Sequence, residues 1–159
     1  MADDLKGMKV AILATDGVER IELEQPRGAL YGAGASSDLL SIHSGEIQAR
    51  QSDLISAGTF PVDHLVTDVS VEDYDALLLP GGTVNPDGLR IDPDAVVVRG
   101  HRFTSWPSLW TDLRRAGAEA IDEELVIDGQ FTSSRSPADL PAFCPAIVAQ
   151  FAKASSRAR

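Results

Sequence analysis

The chain contains one cysteine, Cys144, so any thiol nucleophile must be that residue. A thiol attacks as the thiolate, which is populated near neutral pH beside a cation, a hydrogen-bond donor or a helix N-terminus. Cys144 follows Asp139-Leu-Pro-Ala-Phe143 near the expected start of the last helix, where a helix end is at hand. Pro145 and the apolar residues around it favour a packed or half-exposed structural thiol instead. Glu19 and Glu22 sit in the acidic stretch Glu19-Arg-Ile-Glu-Leu-Glu24, where first-turn carboxylates suit the positive end of a helix dipole. Gly81 and Gly82 follow Pro80 after an apolar run and read first as chain-reversal glycines. His43, His64 and His101 are too scattered to imply a metal site. His101 precedes Arg102-Phe103 and reads as an exposed residue at a strand start. Trp106 and Trp110 read as core or interface residues rather than a base-stacking platform.

The elements that must position these groups are legible in the hydrophobic pattern. Lys9-Val-Ala-Ile-Leu-Ala14 is a short, nearly continuous apolar run, as in a strand buried on both faces of a parallel sheet. Asp16-Gly17 punctuates it, and a helix is expected from the acidic stretch through Pro26 to about Ala33. Gly28 and Gly32 would each weaken that helix by up to ~1 kcal/mol relative to alanine. Gly34 closes it, and Asp38-Leu-Leu-Ser-Ile42 reads as the second strand. From Ser44 to Val66 the short alternating stretches suggest a hairpin or irregular excursion. Asp73 to Leu79 is the next buried strand. Strand alternating with helix argues for a doubly wound α/β sheet.

In the second half, Asp92-Pro-Asp-Ala95 reads as a helix start, but Val98 runs directly into Arg99-Gly100. A strand is expected over His101–Trp106 and a helix over Pro107–Ala116, with Gly117 as its stop. Glu123–Ile127 and Gln130–Ser133 flank Asp128-Gly129 and read as a hairpin. A last helix is expected from Pro137 or Pro141, fraying into the polar tail at 155–159. The expectation is one domain over 1–159, with an ordered core over about 8–154.

Composition narrows the function classes. Apolar residues make up 43% and charged residues 24% of 159, near the globular average. The net charge of −10 makes nucleic acid and anionic membrane poor partners, and solubility is the simplest use of the acidity. A lone cysteine suits a reducing compartment, and no apolar run reaches the roughly 18–20 residues of a membrane-spanning helix. The N-terminus is acidic where a secretory signal would be basic and then apolar, so a cytoplasmic protein is expected.

Several segments then resemble the ThiJ/PfpI family of the class I glutamine amidotransferase-like superfamily. Lys9-Val-Ala-Ile-Leu with Asp16-Gly-Val-Glu19-Arg-Ile-Glu22 is similar to the family's opening strand and acidic turn. Tyr74-Asp-Ala-Leu-Leu-Leu-Pro-Gly-Gly82 with Asn85-Pro-Asp-Gly-Leu-Arg90 resembles its Pro-Gly-Gly loop. Thr104-Ser-Trp-Pro-Ser108, Ala116-Gly-Ala118 and Ser134-Arg-Ser-Pro-Ala-Asp-Leu-Pro-Ala-Phe143 resemble its C-terminal third. Pro-Gly-Gly alone is common in turns; five segments in order over most of the chain are specific.

The resemblance implies a flavodoxin-like sandwich, assembled as a homodimer or larger oligomer, with no cofactor. It also implies a site made by a cysteine on a strand-to-helix elbow, a following histidine, a glutamate of the acidic turn and amides of the Pro-Gly-Gly loop. Glu22 is the closer match to that glutamate, with Glu19 beside it; Gly81 and Gly82 match the oxyanion loop. Asp87 matches an acid that some relatives direct at a neighbouring subunit's site, against a plain solvated aspartate. Activities attributed to the family include cysteine-dependent hydrolysis of the intracellular protease type, methylglyoxal conversion and deglycation; some members are general stress proteins.

The departure lies at Val98–Arg99, where the family carries a further strand, the Cys-His-Gly elbow and flanking helices. About thirty residues are missing there by comparison, close to one βαβ unit. Cys144 does not match the family's nucleophile, nor His101 its histidine. The expectation is therefore a shortened sandwich and a pseudoenzyme. The alternative is an active family enzyme, a cysteine-type hydrolase or peptidase, a glyoxalase or a deglycase, the last two implying a small carbonyl substrate.

Overall fold

The computed structural model describes residues 4–82, 84–85 and 100–157. Asp87, the helix start at Asp92–Ala95 and the Val98–Arg99 junction fall outside the described residues.

Strand β1 (Lys9–Leu13) is followed by a two-residue strand, β2 (Val18–Glu19), and by helix α1 (Arg20–Gly32). The helix begins and ends close to where the acidic stretch and Gly34 place it. Gly34 adopts a φ of +94°, and the Ala35 N–H returns to the Leu30 carbonyl at 3.1 Å, closing the last turn. Pro26 lies inside the helix and lacks the N–H that the Glu22 carbonyl would otherwise accept. Gly28 is exposed, and a Cβ there would meet nothing within 4 Å. Gly28→Ala is therefore expected to stabilise the fold by about 0.5–1 kcal/mol, read as a raised urea midpoint with unchanged slope.

Strand β3 (Ser36–Ser41) precedes a hairpin of β4 (Glu46–Gln51) and β5 (Ile55–Pro61). The excursion after Ser44 is thus mainly a hairpin. Ser52 and Asp53 at its tip have φ of 51° and 63°, left-handed conformations within the three-residue loop between Gln51 and Ile55. Strand β6 (His64–Leu65) and strand β7 (Ala76–Leu78) complete a four-stranded, wholly parallel sheet in the order β6-β3-β1-β7. In that sheet Ile12 lies opposite Leu39 and Leu78, and all three are buried. Separately, β2 pairs parallel with β4, with Glu19 opposite Arg50.

Beyond residue 100, strand β8 (Arg102–Phe103) pairs parallel with β9 (Glu119–Ala120), and helix α2 (Trp110–Arg115) connects them. The strand expected over His101–Trp106 is shorter than its pattern suggests. The Thr104 N–H leaves the ladder for Ser133 Oγ at 3.0 Å, and the Thr104 hydroxyl donates to the Glu123 carbonyl at 2.7 Å. The following helix is shorter too, because Pro107–Leu109 forms a 3₁₀ turn before Trp110. Strands β10 (Leu125–Asp128) and β11 (Phe131–Ser134) form the expected Asp-Gly hairpin. A 3₁₀ turn at Pro137–Asp139 leads into helix α3 (Leu140–Arg157), which continues past Ser155 where the polar composition suggested fraying.

Helices α1 and α3 pack together over one face of the parallel sheet. Leu23 and Leu30 of α1 and Ile147 of α3 meet Val10, Ile12 and Leu39 in one buried cluster. Burial of each such side chain contributes roughly 1.5–3 kcal/mol. Leu5 and Met8 join the cluster, so packing begins before the strand itself. On the opposite face, Asp38 accepts from Lys9 Nζ at 2.7 Å and from the Tyr74 hydroxyl at 2.9 Å. Burial alone would raise the Asp38 carboxyl, but those two donors hold it below its usual range. Among the described residues no helix is long and apolar enough to cross a membrane.

Candidate functional site: an acidic cleft

Three chain segments converge beyond the end of β1. The Thr15 N–H donates to Asn85 Oδ1 at 2.7 Å, and Asn85 Nδ2 donates to the Pro80 carbonyl at 2.7 Å. Asn85 is fully buried, so both halves of its amide are needed there. The Glu19 N–H then bonds the Gly81 carbonyl at 3.1 Å, pressing the Pro-Gly-Gly loop against the acidic turn. Gly82 has a φ of +109°, and a Cβ would lie 2.6 Å from the Gly17 carbonyl oxygen and 2.8 Å from the Glu19 nitrogen. A Cβ on Gly81 would overlap the Glu22 carboxylate. These glycines are therefore required by close approach, beyond simple chain reversal.

Glu22 is half-buried, and its carboxylate accepts the Gly81 backbone N–H. Burial pushes the Glu22 carboxyl up to about 7; the Gly81 N–H opposes the rise, while Glu19, Asp53 and Asp139 add to it. Glu19 is 8% exposed, and its Oε2 accepts the Asp53 N–H at 3.4 Å, joining the acidic turn to the β4–β5 tip. Glu19, Glu22, Gly81 and Gly82 thus come together as the sequence resemblance implies, on one wall of a cleft of about 680 Å³.

The far wall carries a group that residue types alone did not single out. Arg135 binds the buried Asp139 with two guanidinium nitrogens, Nε to Oδ2 and the second to Oδ1, each at 3.0 Å. A third nitrogen reaches Asp122 at 2.9 Å. Hydrogen bonds to both carboxylates raise the Arg135 pKa, so this cation is permanent. The Asp139 carboxyl is held below its usual range, mainly by Arg135 acting against burial. An aspartate four residues after an arginine at a helix entry was the available signal.

The remaining residues lie elsewhere. Cys144 is half-buried and does not line the cleft, although its neighbour Phe143 does; burial pushes its thiol up. The cation and helix-end activation that a reactive thiol needs are therefore not expressed at Cys144. His101 Nδ1 lies 3.4 Å from Asp128, His43 3.4 Å from Asp16 and His64 3.6 Å from Asp38, none of them in the cleft lining. Trp106 is 60% exposed at the cleft rather than in the core, whereas the Trp110 indole N–H donates to the Ser105 carbonyl at 3.0 Å.

A parallel α/β sheet under two packed helices, with an acidic turn closed by a Pro-Gly-Gly loop, is the flavodoxin-like architecture of the DJ-1 superfamily. The DJ-1/PfpI family model matches residues 8–98 and 94–150, and the chain belongs to that family. It is 31% identical to a deglycase of Thermococcus kodakarensis, over 86% of this chain and 95% of the relative. It is 29% identical to general stress protein 18 of Bacillus subtilis, over 86% of this chain and 94% of the relative. Among solved structures it is similar to a two-domain protein of Anabaena variabilis with DJ-1/ThiJ/PfpI-like and ferritin-like domains. That likeness has a TM-score of 0.77 at 28% identity and covers 89% of this chain but only 49% of the other.

Proposed function

We propose that this chain is a stress-type member of the DJ-1/PfpI family that works without the family's thiol catalysis. The observation that carries this reading is the placement of its single sulfur nucleophile. Cys144 stands outside the cleft that holds Glu22 and the Gly81-Gly82 loop, and its thiol is shifted away from ionisation. The alignment with the Thermococcus kodakarensis deglycase supports it, running over 163 positions while covering 86% of a 159-residue chain. Part of that relative therefore has no counterpart here. Residues of the missing elbow would have supplied the nucleophile; Glu22 and the loop amides alone have nothing to activate. Association into a homo-oligomer belongs to the same reading.

A second reading keeps an enzyme, and Glu22 favours it. A carboxyl with a pKa of about 7 in a cleft is matched to proton transfer at neutral pH. One assay pair separates the two: thiol-dependent peptide hydrolysis and methylglyoxal consumption by wild type, Cys144→Ser and Glu22→Gln. Background rates in all three are expected. A wild-type rate above background that either substitution abolishes overturns the non-catalytic reading.

A further inference from the structure

Glu22 and Asn85 hold opposite ends of one peptide unit. The unit joins Pro80 to Gly81, and its two polar groups point in opposite directions because the peptide is planar and trans. At one end the Pro80 carbonyl accepts Asn85 Nδ2 at 2.7 Å. At the other end the Gly81 N–H donates to the Glu22 carboxylate. The Asn85 oxygen is anchored in turn on the Thr15 N–H, two residues beyond the end of β1. The direction of the Gly81 N–H is therefore referred, through one fully buried amide, to the central strand of the sheet.

The clamp leaves little slack on either side. A Cβ on Gly17 would overlap Val84, the residue before Asn85, and a Cβ on Gly81 would overlap Glu22 Oε2. The Gly81 backbone is thus the cover of the Glu22 carboxylate as well as its hydrogen-bond donor. Where the peptide lies decides how much water reaches Glu22.

We infer that Asn85 is a positioning residue for Glu22: by holding the Pro80 carbonyl it aims the Gly81 N–H at the carboxylate and keeps the loop closed over it. The inference rests on the geometry of the loop and stands under either reading of the function. Releasing the loop has two opposed effects on the Glu22 proton. Loss of the Gly81 N–H favours the protonated form, whereas entry of water favours the charged one. Burial is the larger influence at Glu22, so the second effect wins and the proton is held less tightly. The other charged groups around the carboxylate are Glu19 on the acidic turn, Asp53 at the β4–β5 tip, Asp112 on α2, and Arg135 and Asp139 at the entry to α3. Their charges are the same with and without the Asn85 amide.

The test follows the Glu22 side-chain carboxyl resonance of the ¹³C-labelled chain from acid to alkaline pH, assigned by its loss in Glu22→Gln. Asn85→Ala is expected to lower the midpoint from about 7 by about one unit or more, a tenfold or larger change in ionisation constant. Leu5→Ala empties a fully buried position at the far end of β1 and should cost stability while leaving the midpoint where it was. A purely structural role for Asn85 predicts the same behaviour from both variants. The wild-type chain supplies an arm that does not depend on either variant folding. Because coupling is reciprocal, the Asn85 side-chain amide resonances should shift with the midpoint of Glu22 and lose that inflection in Glu22→Gln. Three results overturn the inference: a midpoint that Asn85→Ala leaves unmoved or raises, an equal fall in Leu5→Ala, or Asn85 resonances with no inflection. A wild-type midpoint near the ordinary 4.5 does so too, since the loop would then not cover the carboxylate.

Discussion

Arg135→Met is expected to destabilise the fold, read as a clearly lowered urea midpoint, because it removes the cation paired with the buried Asp139. The size follows from what is left behind rather than from the attraction lost. Asp139 is 5% exposed at the entry to α3, and the substitution strands its carboxylate without a counter-ion. The Asp122 contact contributes less, since that side chain is 60% exposed. Urea unfolding near neutral pH measures the loss, and adding Asp139→Asn to Arg135→Met should recover part of it, since an amide needs no cation. The pH dependence has a definite sign. With its folded pKa lowered, Asp139 contributes stability above its unfolded value of about 3.9, and this is lost as pH falls through the folded value. The gap between wild type and Arg135→Met should therefore close in acid. A gap that persists at low pH would mean that Arg135 acts through packing alone.

The second large effect runs the other way. Glu22→Gln should make the protein more stable than wild type at alkaline pH, by about 2 kcal/mol at pH 8. The folded Glu22 carboxyl titrates at about 7, while an unfolded glutamate titrates at about 4.3. Between those values the folded state keeps a proton that the unfolded chain has released, so stability falls as pH rises through the window. The full linkage for such a shift is roughly 4 kcal/mol; partial solvent access to Glu22 reduces the expected value. Glutamine still accepts the Gly81 N–H but does not ionise. Melting temperatures at pH 5, 6.5 and 8 should show the variant nearly level with wild type in acid and increasingly ahead above it. A difference independent of pH would place the Glu22 carboxyl in water.

Much of this architecture could be read from the residues. The runs at Lys9–Ala14 and Asp73–Leu79 each contain a strand of the parallel sheet and Asp38–Ile42 overlaps one that begins earlier, at Ser36; the continuous hydrophobic signature of burial on both faces holds for the central β1, while Leu77 of the expected buried strand is half exposed. Asp128-Gly129 marked its hairpin because the turn needs a left-handed residue, and Gly129 has a φ of +59°. The two-residue strands β2, β6 and β9 were not legible; each exists through pairing with a distant partner and has no pattern of its own. The acidic turn and the Pro-Gly-Gly loop were found by resemblance, while their contact was not: it depends on Gly81 and Gly82 leaving room for Glu22 and Glu19. Arg135 and Asp139 stood inside a quoted motif, yet their pairing emerged only once the 3₁₀ turn at Pro137 brought them face to face.

The buried Asn85 amide has one more consequence, which concerns ageing. Its oxygen and nitrogen join segments 70 positions apart, and loss of the side-chain ammonia would turn the donor facing the Pro80 carbonyl into a repelling oxygen. Spontaneous deamidation of asparagine runs chiefly through attack by the next residue's backbone nitrogen on the side-chain carbonyl. Here the next residue is Pro86, whose nitrogen carries no hydrogen to lose in that cyclisation. The chain thus places its most deeply enclosed amide where covalent sequence chemistry shields it from the usual route of decay.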